Sequence, residues 1–127
     1  MDKRIINTAK APAPIGPYSQ AVASNGMLYI SGQIPINPAS GDLVSSGIQD
    51  ETHQVMKNLK AILEEAGVSF DNVVKSSIFV ANMGDFAAIN EVYGSYFGEN
   101  PPARETVEVS TLPKNVNVEI SCIATLS

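Results

Sequence analysis

Residues 46–67 read SGIQDETHQVMKNLKAILEEAG. Ile48, Thr52, Val55, Met56, Leu59, Ile62, Leu63 and Ala66 recur at steps of three and four. That spacing draws one apolar stripe down a helix. Ser46-Gly47-Ile48-Gln49 has the form of a capping box, with Ser46 capping and Gln49 reaching back. Gly67 is placed to end the helix in a left-handed conformation. A stripe of that length needs an apolar partner, so a sheet is expected beneath it.

The sequence on either side supplies that sheet. Upstream, Arg4–Thr8, Gln20–Ala23 and Met27–Gly32 read as short strands, and Ser24-Asn25-Gly26 joins the last two as a hairpin turn. A proline-rich loop, KAPAPIGPYSQ, runs from Lys10 to Gln20, and a second turn spans Asn37–Asp42. Downstream, VVKSSIFVANM (Val73–Met83) is rich in β-branched residues and reads as a strand. Asp85 is a candidate N-cap for a second helix. Its stripe is Phe86, Ile89, Tyr93, Tyr96 and Phe97, and Gly98–Pro102 closes it. Arg104–Ser110 and Asn117–Thr125 are the last strands. The order β-β-β-α-β-α-β-β makes an α+β fold, with no linker to divide residues 1–127 into more than one domain. Two helices cannot cover both faces of six strands. The bare face gives the chain a reason to oligomerise.

Composition narrows the function classes. The chain has 127 residues and a net charge of −5, with no basic stripe, which argues against nucleic acid and anionic membranes as partners. Charged residues are only 17%, so partner subunits are expected to cover some of the surface. The one cysteine, Cys122, rules out an intrachain disulfide, and MDKRIINTAKAPAP lacks the apolar core of a signal peptide. No apolar run approaches the length of a membrane span. A soluble cytoplasmic protein is the expectation.

Few residues invite chemistry. His53 lies off the main stripe and reads as solvent-exposed; no second His or Cys gives metal-ligand spacing, so no metal is expected. Cys122 falls on the apolar row Val118, Ile120, Cys122, Ala124 and reads as a small buried hydrophobe. Glu119 alternates with that row. It is either a wet-face carboxylate or one held for a purpose. Arg104 is either an edge-strand charge that blocks aggregation or a ligand anchor. Alternation puts both on the polar parity of their strands, which makes a pairing between them reasonable.

Five stretches together are recognisable: APIGPYSQAV (13–22), LYISGQIP (28–35), QVMKNLKAILEEAG (54–67), DFAAINEVYGSYF (85–97) and PPARETVEVSTLPKNVNVEISCIA (101–124). In this order they resemble the Rid (YjgF) family of enamine/imine deaminases, and its RidA branch in particular. The resemblance implies a chorismate-mutase-like fold: a six-stranded mixed sheet with two helices on one face, the final strand inserted in its middle. It also implies a homotrimer with three sites in the clefts between subunits. The implied reaction hydrolyses 2-aminoacrylate, 2-aminocrotonate and their imine tautomers to 2-keto acids and ammonia, without a cofactor. Arg104 matches the family's substrate-carboxylate arginine and Glu119 its water-positioning or water-activating acid. Tyr18, Ser31, Gly32 and Asn90 match substrate-binding positions. Thr106 stands where many relatives carry a cysteine, which removes a reactive thiol but leaves the arginine and glutamate roles intact. A trimeric binding protein for 2-keto or 2-amino acids, without turnover, is the alternative. Ribonuclease or translation inhibition, attached to some relatives, sits poorly with the acidic balance.

Overall fold

A computed structural model describes residues 2–127. Its strands are β1 (Arg4–Ile6), β2 (Ala21–Ser24), β3 (Met27–Gln33), β4 (Val73–Val80), β5 (Ala103–Glu108) and β6 (Val118–Thr125). The helices are α1 (Ile48–Glu65) and α2 (Phe86–Gly94). The strands form one sheet in the order β1-β2-β3-β6-β4-β5. Only β4 and β5 run parallel, joined through α2; every other pair is antiparallel. The final strand therefore lies in the middle of a mixed sheet, as the resemblance implied.

The α1 stripe forms the core. Val55, Met56, Leu59, Ile62 and Leu63 are fully buried, each contributing about 1.5–3 kcal/mol relative to exposure. They face Leu28, Ile78, Val80, Val118, Ile120 and Ala124 on the covered side of the sheet. The helix ends as the sequence predicts. Gly67 has φ 80°, its N–H donates to the Glu64 carbonyl, and the Val68 N–H reaches the Leu63 carbonyl. That is a Schellman closure.

The start of α1 differs from expectation. Gly47, with φ 128°, occupies the N-cap position, and no side chain caps the helix. Ser46 is thereby one residue too far upstream to form the capping box, and its hydroxyl donates instead to the Asp50 carboxylate at 2.7 Å. Asp50 and Glu51 in the first turn complement the partial positive charge of the free N–H groups. The second helix is also shorter than its stripe suggests. Asp85 stands at the N-cap position as expected but makes no side-chain cap bond; Asn82 Oδ1 accepts from the Gly84 N–H at 2.8 Å and caps the 3-10 turn Met83–Asp85 that leads into the helix. Tyr96 and Phe97 lie past the end of α2, yet both pack against Phe70, with ring centroids 5.4 and 5.3 Å away.

The hairpin between β2 and β3 turns at Asn25 and Gly26, whose φ values of 51° and 77° suit a two-residue turn matched to strand twist. Farther along β3 the register with β6 slips between Ile30 and Gln33, an extra residue at Ser31-Gly32. This bulge re-aims the strand at Ser31 and Gly32, two of the candidate site residues.

Side chains of paired residues share a face, so the register assigns every strand position. The face away from the helices carries Val22, Tyr29, Ile123, Phe79 and Val107, with Ile5 at its edge. Tyr29 is 49%, Val107 42% and Ile5 52% exposed. The same face carries Lys75, Ser77, Glu105, Ser121 and Glu119, with Lys75 and Glu105 paired at 3.0 Å, so it is mixed in polarity, and no helix among the described residues covers it.

Candidate active site

One group of site residues gathers around the β3 bulge. Gln20 is 2% exposed and holds the proline-rich loop in place. Its Nε2 donates to the carbonyls of Thr8 (3.0 Å), Pro12 (2.9 Å) and Ala11 (3.3 Å), and its Oε1 accepts from the Thr8 N–H (2.7 Å). The loop so held presents Tyr18, whose ring lies over Gly16 and whose hydroxyl accepts from the Ile15 N–H at 3.2 Å. Ser31 ties the bulge to the same loop: its N–H donates to the Gln20 carbonyl (2.9 Å) and its hydroxyl to the Ser19 carbonyl (2.6 Å). Gly32 lies against Glu119. A Cβ at Gly32 would stand 2.6 Å from Glu119 Oε2, so the carboxylate fills the space a side chain would need.

Tyr18, Ser31, Gly32 and Glu119, with Ile15 and Ile34, line an open cleft of about 420 Å³. Glu119 is half-buried there, and desolvation pushes its carboxyl pKa above the ordinary carboxylate value. An ionised carboxylate of raised proton affinity is a better general base than a surface one.

The second group lies at the sheet edge under α2. Arg104 begins the body of β5, in register with Ser76 of β4. Ser76 is fully buried on the helix side, so Arg104 points toward the helices. Its Nη1 donates to Asn90 Oδ1 at 2.6 Å. Its Cζ lies 5.2 Å from the centroid of the Tyr93 ring and 5.6 Å from that of Phe86. A guanidinium carries five N–H donors, so this bond leaves a fork free for a carboxylate. Thr106 shares the face, and its buried hydroxyl has no hydrogen-bond partner among the described residues. Burial raises the Tyr93 phenol further above its ordinary pKa, keeping it neutral.

The two groups do not meet within one chain. Glu119 pairs with Phe79 and lies on the uncovered face; Arg104, through Ser76 and Cys122, lies on the helix face. Both residues alternate with apolar rows in the sequence, but their shared polar parity does not put them on the same side. Arg104 is level with Cys122, three residues along β6 from Glu119. Three residues and two strand spacings separate their Cα atoms by about 14 Å, and the side chains diverge from there. A three- or four-carbon imino acid cannot touch both.

The remaining candidates are structural. His53 is partly buried rather than exposed, with Nδ1 2.9 Å from the Tyr96 hydroxyl. Cys122 is buried 3.5 Å from the Ser76 hydroxyl, and burial pushes its thiol pKa up to about 11, so it is no nucleophile at neutral pH. Phe86 and Tyr93 read from sequence only as parts of a core stripe. The available signal was Asn90 on the same helix face, at i+4 from Phe86 and i−3 from Tyr93.

Residues 8–126 match the family described as Endoribonuclease L-PSP. The human 2-iminobutanoate/2-iminopropanoate deaminase is 49% identical over 122 residues, which cover 96% of this chain and 89% of that protein. The crystal structure of YyfA from Yersinia pestis, of the conserved Rid protein family, matches with a TM-score of 0.95 and 52% identity, covering 97% of this chain and 98% of that one. E. coli TdcF, solved with bound serine, matches with a TM-score of 0.93 and 42% identity over 98% of this chain and 99% of its own. With the family match running through the proline-rich loop, the bulged β3 and the inserted final strand, the chain belongs to the Rid (endoribonuclease L-PSP) family.

Proposed function

We propose that this protein clears reactive enamine and imine intermediates, hydrolysing 2-aminoacrylate, 2-aminocrotonate and their imine tautomers to 2-keto acids and ammonia. The observation that carries the reading at the level of residues is the division of the site. A guanidinium with a free donor fork lies on one face of the sheet, and a desolvated carboxylate in a small cleft lies on the other. Each half lacks what the other supplies.

A second copy completes the site in this reading. The uncovered face, with the large apolar side chains of Tyr29 and Val107 exposed on it, supports assembly through the sheets into a homotrimer of chorismate-mutase-like subunits. Each 1–127 domain contributes Arg104 to one cleft and Glu119 to another. The protein works in the cytoplasm and without a cofactor.

In the assembled cleft Arg104 holds the substrate carboxylate by two parallel hydrogen bonds. Tyr18 closes over the bound imine, and the Ser31-Gly32 bulge lines the wall beside Glu119. Glu119 takes a proton from water as the water oxygen attacks the imine carbon, and returns that proton to the imine nitrogen. The resulting carbinolamine loses ammonia as the C–N bond breaks and the carbonyl forms. Such imines hydrolyse unaided in water, so positioning and one proton transfer supply most of the acceleration.

Mixing subunits tests the reading. Arg104→Ala and Glu119→Gln proteins are each inactive on this mechanism. Unfolded together in equal amounts and reassembled, they regain activity, because random mixing leaves about one cleft in four with both residues. No recovery in mixed oligomers of proven composition places the two residues outside a shared cleft. Serine bound to TdcF raises the alternative of a binding protein without turnover. Keto-acid release no faster than in buffer, with ligand binding intact, decides for that alternative.

A further inference from the structure

Phe86, Asn90 and Tyr93 stand at i, i+4 and i+7 on α2, one face of the helix. All three reach the same guanidinium: Asn90 Oδ1 by a 2.6 Å hydrogen bond, the two rings at 5.6 and 5.2 Å from Cζ. Seven residues of helix rise about 10.5 Å, so the two rings approach Arg104 from different turns. Both distances fall inside the range of about 6 Å over which an aromatic ring attracts a cation. Asn90 occupies one donor of the guanidinium and the rings bear on it from the helix. The Tyr93 contact with the guanidinium is made by its ring.

We infer that Phe86 and Tyr93 are positioning residues, which with Asn90 form a cradle that fixes the plane of Arg104 before substrate arrives. The inference rests on Arg104 being the carboxylate anchor. It also gives Asn90 a definite role, which is to orient the arginine. A long arginine side chain has many rotamers, and ordering it in advance removes a cost that would otherwise fall on binding. The cradle therefore sets affinity for the substrate carboxylate, and leaves the Glu119 proton transfer alone.

Phe86→Leu is the informative variant, because Phe86 is 38% exposed and the core does not depend on it. Two readouts are needed: the pyruvate dissociation constant by titration calorimetry, and side-chain NMR of the Arg104 guanidinium, assigned by its loss in Arg104→Ala. Phe86→Leu is expected to weaken pyruvate binding about five-fold, to raise KM with kcat unchanged, and to speed rotation of the guanidinium. Tyr93→Phe keeps the ring and is expected to stay within about two-fold of wild type. Unchanged binding in Phe86→Leu overturns the cradle, as does weaker binding with the guanidinium still held. So does a Tyr93→Phe loss as large as that of Phe86→Leu, which would move the role to the hydroxyl. If Arg104→Ala binds pyruvate as wild type does, the anchor reading itself falls and the cradle with it.

Discussion

Gly32→Ala probes whether the position of the Glu119 carboxylate matters to the reaction. A methyl group at residue 32 would lie 2.6 Å from Glu119 Oε2, 2.7 Å from Cδ and 2.9 Å from Cγ. Favourable carbon contacts begin at about 3.5 Å, so three atoms of the glutamate overlap the new group. Because Cγ is among them, turning the carboxyl group alone cannot relieve the clash. The side chain must swing about χ1 or χ2, which carries the carboxylate away by about 1 Å or more. Gly32 is not among the glycines with positive φ, so alanine fits its backbone and the problem is one of space. The cleft is open, and a displaced glutamate costs about 0.5–1.5 kcal/mol of rotamer strain. A catalytic group misplaced by about 1 Å costs about a hundred-fold in rate, close to 2.7 kcal/mol of barrier. Activity should therefore suffer more than stability. The assay generates 2-aminoacrylate with a pyridoxal-phosphate-dependent serine dehydratase and follows pyruvate formation, beside a thermal melt. In a Glu119→Gln background the alanine should make no further difference. A Gly32→Ala enzyme within two-fold of wild-type rate would refute the reasoning, because the carboxylate could then move without consequence.

Glu119→Gln should trade activity for stability. Burial raises the folded-state pKa of this carboxyl above its unfolded value, so its stabilising contribution is full below the unfolded pKa and lost as pH rises through the folded one. The variant should melt higher than wild type at pH 8, with the gap closing toward pH 4, and equal melts at both pH values would count against a desolvated carboxylate. Wild-type rate should fall on the acid side as Glu119 is protonated. Gln20→Leu leaves the Thr8, Ala11 and Pro12 carbonyls and the Thr8 N–H without their partner. It should destabilise the chain by about 3 kcal/mol, read by urea denaturation, and open the loop carrying Tyr18 to limited proteolysis; wild-type resistance would show the loop is held elsewhere.

Much of this architecture was legible because local periodicity and global packing agree. The α1 stripe was readable because six of its members, Thr52 among them, are fully buried, and the row Val118, Ile120, Cys122, Ala124 because β6 is central. Elsewhere competing local choices hid the outcome. Gly47 adopts a φ that only glycine takes readily and displaces Ser46 from the cap. Tyr96 and Phe97 keep helical spacing although α2 has ended, because tight turns carry Tyr96 N–H to the Tyr93 carbonyl and Phe97 N–H to that of Gly94. The side on which Arg104 lies was beyond the reach of alternation. β5 is an edge strand with polar residues in both rows, and only its register with the buried Ser76 tells which row faces the helices. The central place of the final strand, likewise, was implied by the resemblance and not by strand patterns, and the full strand order is seen only in the structure.

The division of the site has a chemical logic. Were Arg104 and Glu119 neighbours on one face, each would meet the other first. An ion pair would lower the carboxyl pKa and occupy the donor fork, leaving a weaker base and no free anchor. On opposite faces neither happens: the raised pKa of Glu119 is set by desolvation alone, and Arg104 is committed only to Asn90 and two rings. In the proposed assembly the substrate arrives with its own carboxylate, which neutralises the guanidinium and places an electrophilic carbon toward the partner's cleft. The base then keeps its proton affinity at the moment it is needed. A chain that solved the problem alone would need a third group to keep its cation and its anion apart. Here the thickness of a sheet does it, and in the proposed assembly identical subunits bring the two halves together only where a small anion stands between them.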